Sequence, residues 1–182
     1  MHISYSALEL WSKCPFAYKI KYVDKTTSFR GSLYSCFGSA VHKTIELILT
    51  GAFSPENSFK QNFDSELSNL DQAELTKISS SKDLLAIKKN MYETGAELSL
   101  AAVTELSKKF PGFKLVAIEE KFLELIHNVL YPNYEFKGII DLIIQTTDGN
   151  YHVIDWKTCS WGWDARKKSN KMVTYQLTFY KH

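Results

Sequence analysis

Three charged residues interrupt two apolar runs in the last third of the sequence. The stretch GIIDLIIQTTDGNYHVIDWKT, residues 138–158, places Asp141, Asp155 and Lys157 among isoleucines, leucines and valines. Carboxylate oxygens are the ligands that Mg²⁺ and Mn²⁺ prefer. Charges among hydrophobic residues are rare unless they have a partner or a task. The alternative is a structural Asp155–Lys157 pair on an exposed edge strand, with Asp141 at a solvated strand end.

The length of the loop between the two runs determines whether the charged side chains lie on the same face of the hairpin. A three-residue loop centred on Asp148 places Asp141 opposite Asp155, and one centred on Gly149 places Asp141 opposite Lys157. A two-residue loop separates the carboxylates onto opposite faces. We therefore predict a loop of odd length, with Gly149 or the asparagine after it in a left-handed conformation. The side-chain period of two also puts Asp155 and Lys157 on one face of their strand.

The surrounding pattern predicts an α/β domain with a mixed β-sheet core flanked by helices. Helical spacing is found in the N-terminal segment, around the stripe of Val41 and Ile45, and again near 171–182. Leucine, alanine, glutamate and lysine dominate residues 55–110, which indicates a helical insertion whose last helix ends before Pro111. The strand-like runs lie near 114–126, 134–146 and 151–157. The predicted order is three helical segments, three strands and a final helix.

Length and composition favour one soluble domain over residues 1–182. Of the 182 residues, 45% are hydrophobic and 23% are charged, which argues against disorder. A net charge of +2 means that any binding of nucleic acid must depend on local patches. No apolar run is long enough to span a membrane, and the N-terminus lacks the order of a signal peptide. We therefore expect a cytoplasmic protein without membrane contact.

The ordered set of motifs resembles the PD-(D/E)XK nuclease superfamily, and within it the RecB-like branch of CRISPR-associated adaptation exonucleases and phage exonucleases. Asp141, Asp155 and Lys157 carry the resemblance as GIID followed by IDWK. Four further features support the narrower assignment: the N-terminal SALELWSKCPFAYK, Gly38-x-x-x-His42, Gly138 three residues before Asp141, and Gln176-x-x-x-Tyr180. The resemblance implies a restriction-endonuclease-like fold.

The resemblance also implies roles for individual residues. Asp141 and Asp155 would bind Mg²⁺ or Mn²⁺, together with His42 and the backbone carbonyl of Trp156. Without the other motifs, a histidine beside an apolar stripe is more often a core residue. Lys157 would act on the attacking water or on the scissile phosphate, and sequence does not decide between general base and electrostatic stabiliser.

Three other groups of residues are candidates for the same site. Gln176 and Tyr180 lie four residues apart, so they share one helix face. The resemblance implies that they supply hydrogen bonds to the site or to DNA; the alternative is an ordinary amphipathic helix. Glu119 or Glu120 is an extra carboxylate on the preceding strand, although a structural role is favoured for both. Aromatic and basic residues suited to DNA contact, or else a solvated charge run, follow the last strand: Trp161, Trp163, Arg166, Lys167, Lys168 and Lys171.

One family feature is incomplete in this sequence. Many RecB-like exonucleases hold an iron–sulfur cluster with one N-terminal and three C-terminal cysteines. Cys14 stands where the first would be, but the three C-terminal ones are absent, so we expect no cluster in this chain. The family fold normally continues with a further strand beyond the Gln–Tyr helix, which allows a C-terminally truncated chain.

The sequence thus predicts a metal-dependent deoxyribonuclease. We expect an exonuclease that hydrolyses phosphodiester bonds in single-stranded DNA or at duplex ends, during recombination, repair or phage DNA processing. A helicase or recombination partner is not identified by the sequence. The rivals are a catalytically weak DNA-binding or regulatory subunit on a nuclease fold, and a metalloprotein that uses the same carboxylates without nucleic acid.

Overall fold

The protein is described by a computed structural model. It covers residues 2–26, 31–51, 54–126, 130, 133–159, 162, 169 and 171–180. The chain divides into two compact units. The sheet unit comprises Met1–Ser28, Leu115–Gln145 and Gly149–His182, and the helical unit comprises Phe29–Lys114 and Thr146–Asp148. Among the helices described, none is long and apolar enough to cross a membrane.

The sheet unit is built around one central strand, β3. Its strands are β1 (His2–Ser4), β2 (Lys114–Leu125), β3 (Glu135–Gln145) and β4 (Tyr151–Ile154). Strand β3 pairs with β1 in parallel, with β4 in antiparallel orientation, and has β2 as its other neighbour. The helices of this unit are α1 (Tyr5–Lys13), α2 (Pro15–Tyr18) and α7 (Lys171–Phe179), with a π-helical turn at Lys19–Val23. This mixed sheet with flanking helices confirms the predicted restriction-endonuclease-like α/β fold.

Alternating burial along β3 gives the sheet one packed face. Phe136, Ile140, Leu142 and Ile144 are buried, whereas the residues between them are half-buried or exposed. Because side chains alternate across a strand, Asp141 belongs to the more accessible set. The hydrophobic residues of this strand thus build a core, and the aspartate lies where a ligand can reach it.

The first strand was not predicted. Residues His2–Ser4 pair with Glu135–Lys137 of β3, so the first described element is a strand and not a helix. Three residues are too few to show a period of two, and their pairing depends on a distant segment. His2 Nδ1 lies 2.9 Å from a carboxylate oxygen of Glu135, which adds a polar contact to the pairing. Ser4 then ends the strand and caps α1, because its side chain accepts a hydrogen bond from the Ala7 amide at 3.3 Å.

The helical unit contains α3 (Leu33–Leu49), α4 (Pro55–Ser68), α5 (Gln72–Ser80) and α6 (Lys82–Lys109). The helical insertion predicted over 55–110 is confirmed, and α6 is the long helix expected before Pro111. Its core is aromatic: Phe59 and Phe63 are fully buried, with ring centroids 5.5 Å apart. Gly95 of α6 permits this packing, because a Cβ atom there would come within 2.1 Å of the Phe59 ring.

Candidate active site

The β3–β4 hairpin adopts a register that places the two aspartates opposite each other. The described pairs run from Gln145↔Tyr151 to Leu142↔Ile154, and continuing this register by one position puts Asp141 opposite Asp155. This is the pairing predicted for a loop centred on Asp148. Residues 146–150 separate the paired ends, so the loop has odd length. Gly149 has φ +87°, which confirms the left-handed glycine and explains why the turn favours this residue.

Asp155 carries an enclosed charge in the hairpin motif. Its side chain is 8% exposed, and Lys157 approaches it from the same side, with Nζ 2.9 Å from Oδ1 and 2.7 Å from Oδ2. The contact brings both side chains to one side, as predicted from their two-residue spacing. The predicted strand over 151–157 was too long, however, because β4 ends at Ile154 and both residues follow it. Lys157 itself is 41% exposed. The pair therefore presents a cation to solvent above a buried carboxylate.

Gln176 connects the last helix to the hairpin. It is 8% exposed, and its Nε2 donates to Asp155 Oδ1 at 2.8 Å and approaches the Tyr180 hydroxyl at 3.0 Å. The structure therefore brings together four of the predicted residues: Asp155, Lys157, Gln176 and Tyr180. A hydrogen bond to a buried carboxylate fixes the direction of its oxygens, because a charged acceptor holds a donor strongly. The Gln–Tyr pair thus acts on an aspartate side chain in this structure.

Asp141 organises the backbone that follows β4. Its Oδ2 accepts a hydrogen bond from the Trp156 amide at 2.7 Å. The two aspartates are therefore linked through the backbone, since Trp156 is the residue between Asp155 and Lys157. This hydrogen bond orients the Asp141 carboxylate so that Oδ2 faces the Trp156 backbone amide. The predicted role of the Trp156 carbonyl as a metal ligand stays a prediction.

A third carboxylate, from Glu119, lies beside Asp141. The two residues have carboxylate oxygens within 4.8 Å of each other. Glu119 has φ +50° inside β2, a left-handed conformation that is uncommon for glutamate and typical of a bulge. Sequence parity left Glu119 and Glu120 undecided and favoured a structural role for both. The closeness of its carboxylate to Asp141 favours Glu119 as the functional candidate, and no sequence signal indicates a left-handed glutamate within a strand.

The donor set fits a hard divalent cation. Mg²⁺ binds oxygen at about 2.1 Å, so two of its ligands lie up to about 4.2 Å apart. The Glu119 and Asp141 oxygens need only a small side-chain adjustment to reach that separation. Carboxylates this close repel each other, and a cation between them removes the repulsion. The chemistry of these residues therefore suits a metal ion.

Two tyrosines border the carboxylates and stay protonated over a wide pH range. Burial raises the pKa of Tyr180, the Gln176 hydrogen bond opposes this shift, and the charges of Asp155 and Asp141 add to it. Burial also raises the pKa of Tyr5 to about 12, helped by the charges of Glu9 and Asp155. Both hydroxyls are therefore available as hydrogen-bond donors at neutral pH. Tyr5 was not predicted as a site residue, because a tyrosine at a helix start carries no distinctive spacing.

The remaining predicted residues are described by their own elements. His42 is half-buried on α3 of the helical unit, and its role as a ligand stays a prediction. Lys171 is exposed at the start of α7. The other residues predicted to contact nucleic acid lie outside the described part of the chain: Trp161, Trp163, Arg166, Lys167 and Lys168.

Comparison with known families identifies the type of protein to which this site belongs. The family model described as the PD-(D/E)XK nuclease superfamily matches residues 2–182. The chain belongs to the PD-(D/E)XK nuclease superfamily. None of the curated proteins compared with it gives a match. Nucleases of this superfamily use divalent metal ions, which agrees with the carboxylates of Glu119 and Asp141 and with the Asp–x–Lys sequence of the hairpin.

Proposed function

We propose that this PD-(D/E)XK protein is a Mg²⁺- or Mn²⁺-dependent deoxyribonuclease of the RecB-like branch. One observation carries the proposal. Continued by one position beyond its last pair, Leu142↔Ile154, the hairpin register sets Asp141 opposite Asp155, while the Lys157 ammonium contacts Asp155 and is open to solvent. Two carboxylates and a cation on one face have the charges needed to hold a metal ion and a phosphodiester. The same residues form the GIID and IDWK motifs on which the resemblance depends.

Asp141, Asp155 and Glu119 are the residues of the sheet unit that would hold the metal ion. His42 and the Trp156 carbonyl are the further ligands that the motif resemblance proposes. A bound divalent cation would supply a water of lowered pKa and would neutralise charge on the phosphate. Glu119 adds a carboxylate from a different strand, which would make the site less dependent on the hairpin alone.

Each remaining residue has a role that its contacts support. Gln176 is a positioning residue, because it holds Asp155 Oδ1 at 2.8 Å and leaves the aspartate in one orientation. Lys157 is proposed to stabilise charge on the phosphate, since its Nζ lies within 2.9 Å of both Asp155 oxygens and its side chain is accessible to substrate. Tyr180 would donate a hydrogen bond to the site or to DNA, as its hydroxyl stays protonated.

Exonucleolytic action on single-stranded DNA or duplex ends is proposed from the RecB-like motif set. The Gln176–Asp155 contact supports this narrower assignment, because it gives the Gln-x-x-x-Tyr motif a physical connection to the metal-binding carboxylates. The aromatic and basic segment over 161–171 is proposed to bind the DNA strand. A cytoplasmic role in recombination, repair or phage DNA processing follows from the same resemblance.

Digestion of labelled DNA tests the proposal. Linear single-stranded, linear double-stranded and circular DNA would be incubated with Mg²⁺ or Mn²⁺ and with chelator. We expect metal-dependent loss of both linear substrates, circular DNA being spared, and loss of activity in Asp155→Ala and Lys157→Ala. Lys114→Ala, an exposed lysine at the start of β2, is the matched control and should match the parent. Activity in chelator, or active Asp155→Ala protein, would contradict the metal mechanism, and cleavage of circular DNA would contradict exonucleolytic action.

A further inference from the structure

A cavity of about 460 Å³ opens beside Asp155 within the sheet unit. Its lining comes from the end of β1 and the start of α1, from β2 and β3, and from α7 with the residue that follows it: Ser4, Tyr5, Ser6, Lys121, Phe122, Lys137, Gly138, Ile139, Gln176 and Tyr180. Gln176 belongs both to this lining and to the Asp155 hydrogen bond at 2.8 Å. The cavity is therefore adjacent to the carboxylate site, and Gln176 contributes to both.

Two lysines give the cavity its charge. Lys121 on β2 and Lys137 on β3 are exposed. Within the described part of the chain, neither forms an ion pair with a carboxylate, unlike Lys157 with Asp155. Cations that no protein carboxylate neutralises are suited to bind phosphate. The charge of this cavity thus favours an anion.

Two aromatic rings give the cavity its shape. Phe122 and Tyr180 meet edge to face, with centroids 5.4 Å apart and planes at 83°. Both are half-buried, so part of each ring faces the opening. Gly138 lets both rings pack against β3, because a Cβ atom there would lie 2.4 Å from the Phe122 ring and 2.8 Å from the Tyr180 ring. Aromatic faces beside lysines are the combination that binds single nucleotides by stacking and charge.

The geometry points to this cavity as a subsite for one unpaired nucleotide of the DNA strand, flanking the phosphodiester that the enzyme cleaves. Lys121 and Lys137 bind its phosphate, and Phe122 with Tyr180 packs against its base or sugar. A volume of this size is that of a small-molecule pocket, so a base pair with both backbones does not enter. The inference rests on the proposed nuclease function and specifies its substrate: a strand that is single where it reaches the site.

Binding without metal tests the subsite separately from catalysis. A short single-stranded oligonucleotide with a terminal 2-aminopurine would be titrated in chelator, following anisotropy and the quenching that stacking causes. We expect Lys121→Ala and Lys137→Ala to weaken binding several-fold and to lower the slope of log K against log salt by about 0.7 for each lysine–phosphate interaction that is removed. Phe122→Leu should reduce the quenching, and thermal unfolding checks that this variant folds. Lys114→Ala is the control with unchanged binding.

Kinetics distinguish failure of the inference from failure of the proposed function. With Mg²⁺, the parent should cut ends with single-stranded overhangs faster than blunt ends, and Lys121→Ala and Lys137→Ala should raise KM for overhangs more than they lower kcat. If the parent cleaves DNA but both lysine variants keep its KM, salt slope and quenching, the subsite is wrong and the nuclease stands. If the parent cleaves no DNA, the proposed function fails, and weaker oligonucleotide binding by the lysine variants would then support a single-strand site alone. Binding of free deoxynucleoside monophosphate without binding of the oligonucleotide would also overturn the inference.

Discussion

Removing the Gln176 side-chain amide is expected to misplace Asp155 and slow cleavage by one to two orders of magnitude. Gln176→Met keeps a similar length and removes the donor that lies 2.8 Å from Asp155 Oδ1 and 3.0 Å from the Tyr180 hydroxyl. A hydrogen bond to a charged group contributes about 1.5–3 kcal/mol. Since about 1.4 kcal/mol is a factor of ten, and loss of a group that orients a metal ligand typically costs about 10- to 100-fold, kcat/KM should fall roughly 10- to 100-fold.

The assay for this variant must separate positioning from folding. Initial rates on labelled linear DNA would be measured over a range of Mg²⁺ concentrations, alongside thermal unfolding of each protein. Thr178→Ala is the matched control on the same helix, because its hydroxyl donates to the Thr174 carbonyl, at 2.9 Å, and not to the site. We expect Gln176→Met to need more Mg²⁺ for half-maximal rate while Thr178→Ala behaves as the parent. A folded Gln176→Met protein with parental kcat/KM and parental Mg²⁺ dependence would refute the positioning role.

Three further perturbations address packing and protonation. Gly138→Ala should lower the unfolding temperature and cost about 1–3 kcal/mol, because the new methyl group would lie 2.4 Å from the Phe122 ring; calorimetry measures it, and unchanged stability would contradict the close packing. Gly95→Ala should destabilise the helical unit for the same reason against Phe59, seen as earlier loss of helical circular dichroism; a melting curve like that of the parent would count against this. The pKa of Tyr5 is raised to about 12 in the folded protein, so its contribution to stability is present below about pH 10 and is lost as pH rises toward 12. Between about pH 10 and 12, the unfolding free energy of Tyr5→Phe should therefore fall less steeply with pH than that of the parent. Denaturant titrations at several pH values measure this, and the same pH dependence in both proteins would argue against the raised pKa of Tyr5.

Much of the hairpin could be predicted because its signals are local. The Asp148–Gly149 turn and the period of two predicted a loop of odd length, which left Asp141 opposite either Asp155 or Lys157. The observed register, continued by one position, gives Asp155. The interaction of Lys157 with Asp155 follows from the same alternation. Helix α6 could likewise be predicted from composition, because a long segment of strong helix formers precedes a proline.

The features that could not be predicted depend on tertiary structure. Strand β1 has three residues and exists through its pairing with β3, so its sequence alone shows no period. The choice of Glu119 over Glu120 depends on a left-handed backbone at φ +50°, which glutamate adopts only under local constraint. Tyr5 joins the site because β1 brings the start of α1 beside α7, where both Tyr5 and Tyr180 line one cavity. The sequence patterns therefore predicted the charged residues of the hairpin, whereas Glu119 and Tyr5 could be recognised as their neighbours only from the fold.

Mg²⁺-dependent DNA cleavage by two aspartate variants of the same hairpin tests whether the hairpin carries a metal-dependent nuclease site. Asp141→Asn alters a carboxylate opposite Asp155, whereas Asp148→Asn alters one in the turn, which is exposed. Both variants change charge by the same amount, and rates on linear DNA would be measured against Mg²⁺ concentration for each. We expect Asp141→Asn to cleave about a hundredfold more slowly than the parent, and Asp148→Asn to cleave as the parent does. Equal, parental rates for both variants would contradict a metal-dependent nuclease site at this hairpin.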